Sequence, residues 1–105
     1  MTSKFQLDPT PTFKVSVDIP VHGKGTVPVL IEFKHRDREQ MKALIEAHKE
    51  DVSNVKAVLD VAAGWDLDDT FNEENVTKLD RNYQGAAIAI TTKYMTEIYQ
   101  ARLGN

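Results

Sequence analysis

The stretch from Phe13 to Phe33 constrains this chain most. Phe13, Val15, Val17, Ile19 and Val21 alternate with Lys14, Ser16, Asp18 and Pro20, a period of two that gives a strand one apolar and one polar face. His22-Gly23-Lys24-Gly25-Thr26 follows, a turn whose glycines accept backbone angles closed to other residues. Val27, Val29, Ile31 and Phe33 then resume the alternation against Pro28, Glu32 and Lys34. The pattern predicts an antiparallel β-hairpin. A lone hairpin is at best marginally stable in water, so the rest of the chain must cover its apolar face.

The remaining sequence has the periodicity to do so. Asp8-Pro9-Thr10-Pro11 blocks both helix and central strand ahead of the hairpin. Asp37 with Gln40 reads as a capping box, opening a helix whose inner stripe is Met41, Leu44, Ile45 and His48. Ser53 is placed to cap a second helix with the stripe Val55, Val58, Leu59 and Ala62, and Gly64 stands where a C-cap glycine would. Asn72, followed by Glu73 and Glu74, opens a third helix with Val76, Leu79 and Tyr83 inward. Gly85 breaks that run, and a last helix extends from Ala86 to Leu103. The expected class is α+β: an N-terminal antiparallel β-hairpin packed on a C-terminal bundle of about four helices. One domain over 1–105 is expected, β-rich at 1–36 and helical at 37–105.

The last helix carries two apolar stripes. Ala87, Ile90, Tyr94 and Ile98 suffice to dock it on the domain, whereas Ile88, Met95 and Tyr99 lie on another side. A surface helix needs only one such stripe. The second therefore reads either as deeper burial or as a surface for a partner.

Bulk properties narrow the function. Hydrophobic residues are 41% and charged residues 28% of the 105 positions, as in a globular domain. The formal charge of −3 argues against nucleic-acid binding, which normally needs a positive excess. With no cysteine there is no disulfide, thiolate metal site or cysteine nucleophile. No apolar run reaches the roughly 20 residues of a membrane span. Met1 to Asp8 lacks the pattern of a signal peptide. The expected location is cytoplasmic, without a membrane partner.

Catalytic patterns fail on context. Asp66-Leu67-Asp68-Asp69-Thr70 resembles the first motif of haloacid-dehalogenase-like phosphatases, in which one aspartate attacks phosphorus and the second handles the proton, with Mg²⁺. That motif must end a buried parallel strand, but here a helical stripe and a glycine precede it. The bland reading, an acidic turn capping the third helix, is preferred, and a small Mg²⁺-dependent phosphatase is the remote alternative. His22, His35 and His48 lack zinc spacing. An EF-hand counted from Asp66 would put Phe71 and Thr77 where glycine and glutamate belong. Ser3, Ser16 and Ser53 sit in no nucleophile motif. Lys34-His35-Arg36-Asp37-Arg38 is diluted by acids and reads as a solvated junction. No catalytic, cofactor or metal residue is assigned, and no enzyme activity is expected.

Several strings occur here in a telling order. Phe33-Lys34-His35-Arg36 leads into a charged helix, and Gly64-Trp65-Asp66-Leu67-Asp68-Asp69 precedes Phe71-Asn72-Glu73-Glu74-Asn75. Asn82-Tyr83-Gln84-Gly85-Ala86-Ala87 and Ala101-Arg102-Leu103 complete the set. Together with the proline-rich entry they resemble the phage tail assembly chaperones of long-tailed phages and prophages, over nearly the whole chain. The resemblance implies a protein that coats the tape measure protein, keeps it soluble and helps recruit major tail protein subunits. It also implies action in the host cytoplasm and absence from the mature virion. This chain would correspond to the short form where a frameshifted longer form exists. A tail completion or connector protein is the alternative from the same setting.

Under that reading Ile88, Met95 and Tyr99 are the first candidates for partner binding. Methionine is adaptable and tyrosine brings contact area. Trp65 and Phe71 are a second candidate pair, against the plainer expectation that Trp65 plugs the core beneath the turn. A weak homo-oligomer is left open.

Overall fold

Two long strands form the centre of the fold. β1 (Thr12–Val21) and β2 (Gly25–Lys34) pair antiparallel from Thr12↔Lys34 to Val21↔Gly25. The computed structural model describes residues 7–51 and 54–102, with the side chains of the last helix as far as Tyr99. At the turn, Gly23 and Gly25 have φ of +81° and +75°, and the Lys24 amide donates to the Val21 carbonyl at 2.9 Å. Burial follows the predicted alternation: Val17, Ile19, Ile31 and Phe33 are buried, while Lys14, Ser16, Asp18 and Pro20 are exposed.

Helix α1 (Arg38–Ala47) opens on the expected capping box. The Asp37 carboxylate accepts from the Gln40 amide at 2.8 Å, and the Gln40 side chain accepts from the Asp37 amide at 2.9 Å. Met41 and Leu44 are buried as expected, but Ile45 is exposed and His48 is half-buried, bonded to the Asp60 carboxylate at 2.5 Å. A ten-residue helix spans about three turns; Ile45 sits on its rim, where nothing is packed against it to bury it fully.

The next segment departs from expectation. Ser53 lies outside the described residues; Asn54 caps α2 (Val55–Val61), its side chain accepting from the Ala57 amide at 2.8 Å. Val58 and Ala62 of the predicted stripe are buried and Val55 and Leu59 pack partly buried against the core, with Ala57 and Val61 buried beside them. Ala62 then turns extended, and Gly64 is not a C-cap residue. It belongs to a third strand, β3 (Ala62–Trp65), antiparallel to β2 through Ile31↔Trp65, Glu32↔Gly64 and Phe33↔Ala62. A register shift between Glu32 and Phe33 accommodates it. The sheet order is β1-β2-β3, so the hairpin widens to three strands and β-structure reaches past residue 36. The α+β class holds: an N-terminal hairpin, a third strand and four helices packed on them.

Helix α3 (Glu73–Asn82) starts at Asn72, whose side chain accepts from the Asn75 amide at 2.8 Å. Val76 is buried and Leu79 partly so, but Tyr83 lies past the last turn and is exposed rather than inward. Helix α4 (Ala86–Arg102) lays Ala86, Ala87, Ile90, Tyr94 and Ile98 into the core. Tyr94 ties this helix to the sheet. Its ring lies 5.2 Å from that of Phe33 and 6.3 Å from that of Phe13, and its hydroxyl donates to the Lys34 carbonyl at 2.9 Å. Arg36 donates to that hydroxyl at 3.2 Å and to the Asp60 carbonyl near the end of α2 at 2.7 Å. Burial raises the Tyr94 pKa above its ordinary 10.0, opposed by the Arg36 hydrogen bond and charge.

Candidate binding surface

The loop between β3 and α3 is held at three points. Asp66 continues the pairing of β3: its amide donates to the Leu30 carbonyl at 3.1 Å, and its carboxylate accepts from the Leu30 amide at 3.1 Å. The Trp65 indole donates to the Asp69 carbonyl at 2.6 Å, and the Asn75 side chain donates to the Thr70 carbonyl at 2.7 Å. Trp65 and Phe71 meet edge to face at 5.1 Å and 86°, both partly buried against the core. The arrangement accords with a core-plugging Trp65, one of whose faces still borders a surface hollow.

The phosphatase-like motif is set differently from the sequence expectation. A strand does precede Asp66, but it is a four-residue antiparallel edge strand, not a buried parallel one. The Asp66 carboxylate is engaged with a backbone amide. Among the described residues, no group of three or more His, Cys, Asp or Glu side chains is gathered as a metal site.

This loop forms one wall of an apolar cleft of about 270 Å³ at the hairpin end of the sheet. Its floor is the buried Ile19, Ile31 and Ile90. Its rim is Val27, Leu67 and Tyr83, which are 39%, 39% and 41% exposed. Lys24 stands at the mouth. A neighbouring hollow shares Leu67, Leu79 and Tyr83 with the cleft and extends the surface to Trp65, Asp69 and Lys78. Trp65, Leu67, Leu79, Tyr83 and Val27 thus make a continuous apolar strip edged by charge. Sequence periodicity missed the strip. It assigned Val27 and Tyr83 inward, whereas both stand on the exposed rim of the cleft.

The predicted α4 stripe is divided. Ile88 is 52% exposed and faces a groove beside β1; Met95 is partly buried against the core, and Tyr99 is half-buried. Trp65 and Phe71, by contrast, are brought together.

No helix among the described residues is long and apolar enough to cross a membrane. A family model described as phage tail assembly chaperone matches residues 1–105, the whole chain. No curated protein and no solved structure matches it. The chain belongs to the phage tail assembly chaperone family, and phage tail proteins are its partners in general terms.

Proposed function

We propose that this chaperone binds amphipathic helical segments of the tape measure protein in the apolar cleft. It keeps that protein soluble and assists recruitment of major tail protein subunits. The observation that carries this reading is the strip from Trp65 through Leu67 and Tyr83 to Val27, apolar, contiguous and open to solvent. Helix-in-groove recognition needs such a surface, with anchors at i, i+3 or i+4 and i+7 of the bound helix. Covering one stripe of a long helix removes the exposed apolar surface that drives aggregation. In this reading the protein acts in the host cytoplasm and leaves before the virion matures.

A second reading places the contact on Ile88, Met95 and Tyr99, favoured by the 52% exposure of Ile88 on an otherwise docked helix. Co-expression of the tape measure protein with variants of this chain separates the two. Under the cleft reading, Leu67→Asp with Tyr83→Asp abolishes co-purification and returns the tape measure protein to the pellet. Under the second, Met95→Asp with Tyr99→Asp does so. Circular dichroism of each variant reports whether the fold is kept.

A further inference from the structure

The free edge of β1 is the surface that the chaperone reading leaves unused. Leu30 faces Ser16 across the hairpin, yet its amide and carbonyl bond to Asp66 on the opposite side. Ser16↔Leu30 is therefore a non-hydrogen-bonded pair of the β1·β2 ladder. The Ser16 amide and carbonyl point out of the sheet, and by the period of two so do those of Lys14 and Asp18. Pro20 shares this parity, which is why a proline fits a ten-residue strand: its missing N–H faces the free edge. Beyond the edge runs an open groove walled by Ile88, Thr92 and Thr96 of α4.

The charges along this edge are self-complementary. An antiparallel strand centred on Ser16 of a second copy sets Lys14 opposite the other copy's Asp18, and Asp18 opposite its Lys14. Among the described residues neither side chain has an ion pair within its own chain. Thr12 falls opposite Pro20, so the position lacking a donor meets the end of the paired run. We infer that two copies associate through β1, joining their sheets into one of six strands about a two-fold axis, the isologous arrangement in which one patch serves both sides. The incoming strand also covers the exposed Ile88. The paired run is short, a small contact beside the roughly 1,200 Å² and more that stable complexes bury. The dimer is accordingly weak, with Kd on the order of 100 µM.

Sedimentation equilibrium from about 10 µM to about 1 mM tests this on the intact chain, with amide exchange followed at Ser16 and Asp18. The expected result is a concentration-dependent dimer in which these amides slow as the dimer forms. Lys14→Asp or Asp18→Lys alone sets two like-charged pairs face to face and weakens association roughly tenfold or more; the combined swap restores it. Ser16→Pro, at the parity Pro20 already occupies, keeps the fold and leaves a monomer. If that variant does not fold, the charge swap decides alone. A monomer throughout the range, or a dimer indifferent to the charge reversals, overturns the proposal. Protection of these amides by the tape measure protein, at concentrations where the chain is monomeric, overturns the second copy as occupant.

Discussion

The hydroxyl of Tyr94, deep on the last helix, donates to the carbonyl of Lys34 at the end of β2, 2.9 Å away. Sixty residues of sequence are closed by that bond, and Arg36 extends it to the carbonyl of Asp60. Sheet, second helix and last helix meet here, so the site reports on whether the parts that shape the cleft are correctly assembled.

Tyr94→Phe removes the hydroxyl and strands both the Lys34 carbonyl and one Arg36 donor in a partly buried setting. The expected loss is about 1–2 kcal/mol, read as a lower urea midpoint at an unchanged slope. In a domain of this size it corresponds to a melting shift of about 4–8 °C per kcal/mol.

The same residue predicts an alkaline signature. Burial raises the folded-state pKa of Tyr94 above the ordinary 10.0, so the folded chain holds this proton after the unfolded chain has released it. The stability involved is fully present below pH 10 and is lost as pH rises from there through the folded value. Urea midpoints measured across that window fall for the native chain, and the part of the slope due to Tyr94 disappears in Tyr94→Phe.

Phe33 is fully buried between Phe13 and Tyr94. Phe33→Ala costs about 3–5 kcal/mol through lost transfer energy and the cavity left behind. Against a total of about 5–15 kcal/mol for a typical domain, this substitution is expected to remove a large share of the stability and to lower the melting temperature followed by circular dichroism by more than about 10 °C.

Much of this architecture was legible because local chemistry and tertiary packing agree. The alternation from Phe13 to Phe33, the Asp37–Gln40 box and the Asn72 cap each act within a few residues, and each appears as read except at Val27, which is exposed. The third strand was not legible. Ala62-Ala63-Gly64-Trp65 has no alternation and continues the apolar run of α2, so it reads as helix and cap. It becomes a strand only because β2 offers it an unpaired edge. The candidate surface shows the same divide: Trp65 and Phe71 could be named from sequence, but Leu67, Val27 and Tyr83 share one strip only because the tertiary fold sets the loop, the hairpin end and the end of α3 side by side.

Asp66 provides a test of that strand. Asp66→Ala deletes the acceptor for the Leu30 amide and is expected to cost about 0.5–1.5 kcal/mol, with faster amide exchange at Leu30. Asp66→Asn keeps a carbonyl acceptor and should stay within about 0.5 kcal/mol of the native chain. A carboxylate needed for its charge rather than its geometry would make the two variants equally damaging.

The proposed role of the cleft between the hairpin end and α3 is to hold the tape measure protein. Its most direct measurement is titration of the tape measure protein, or helical segments of it, into isotope-labelled chaperone while amide and methyl resonances are followed. Shifts concentrated at Val27, Leu67, Leu79 and Tyr83, and absent from Leu67→Asp, are the predicted result. Binding that leaves those resonances unmoved, or that survives Leu67→Asp with Tyr83→Asp at native affinity, would contradict it.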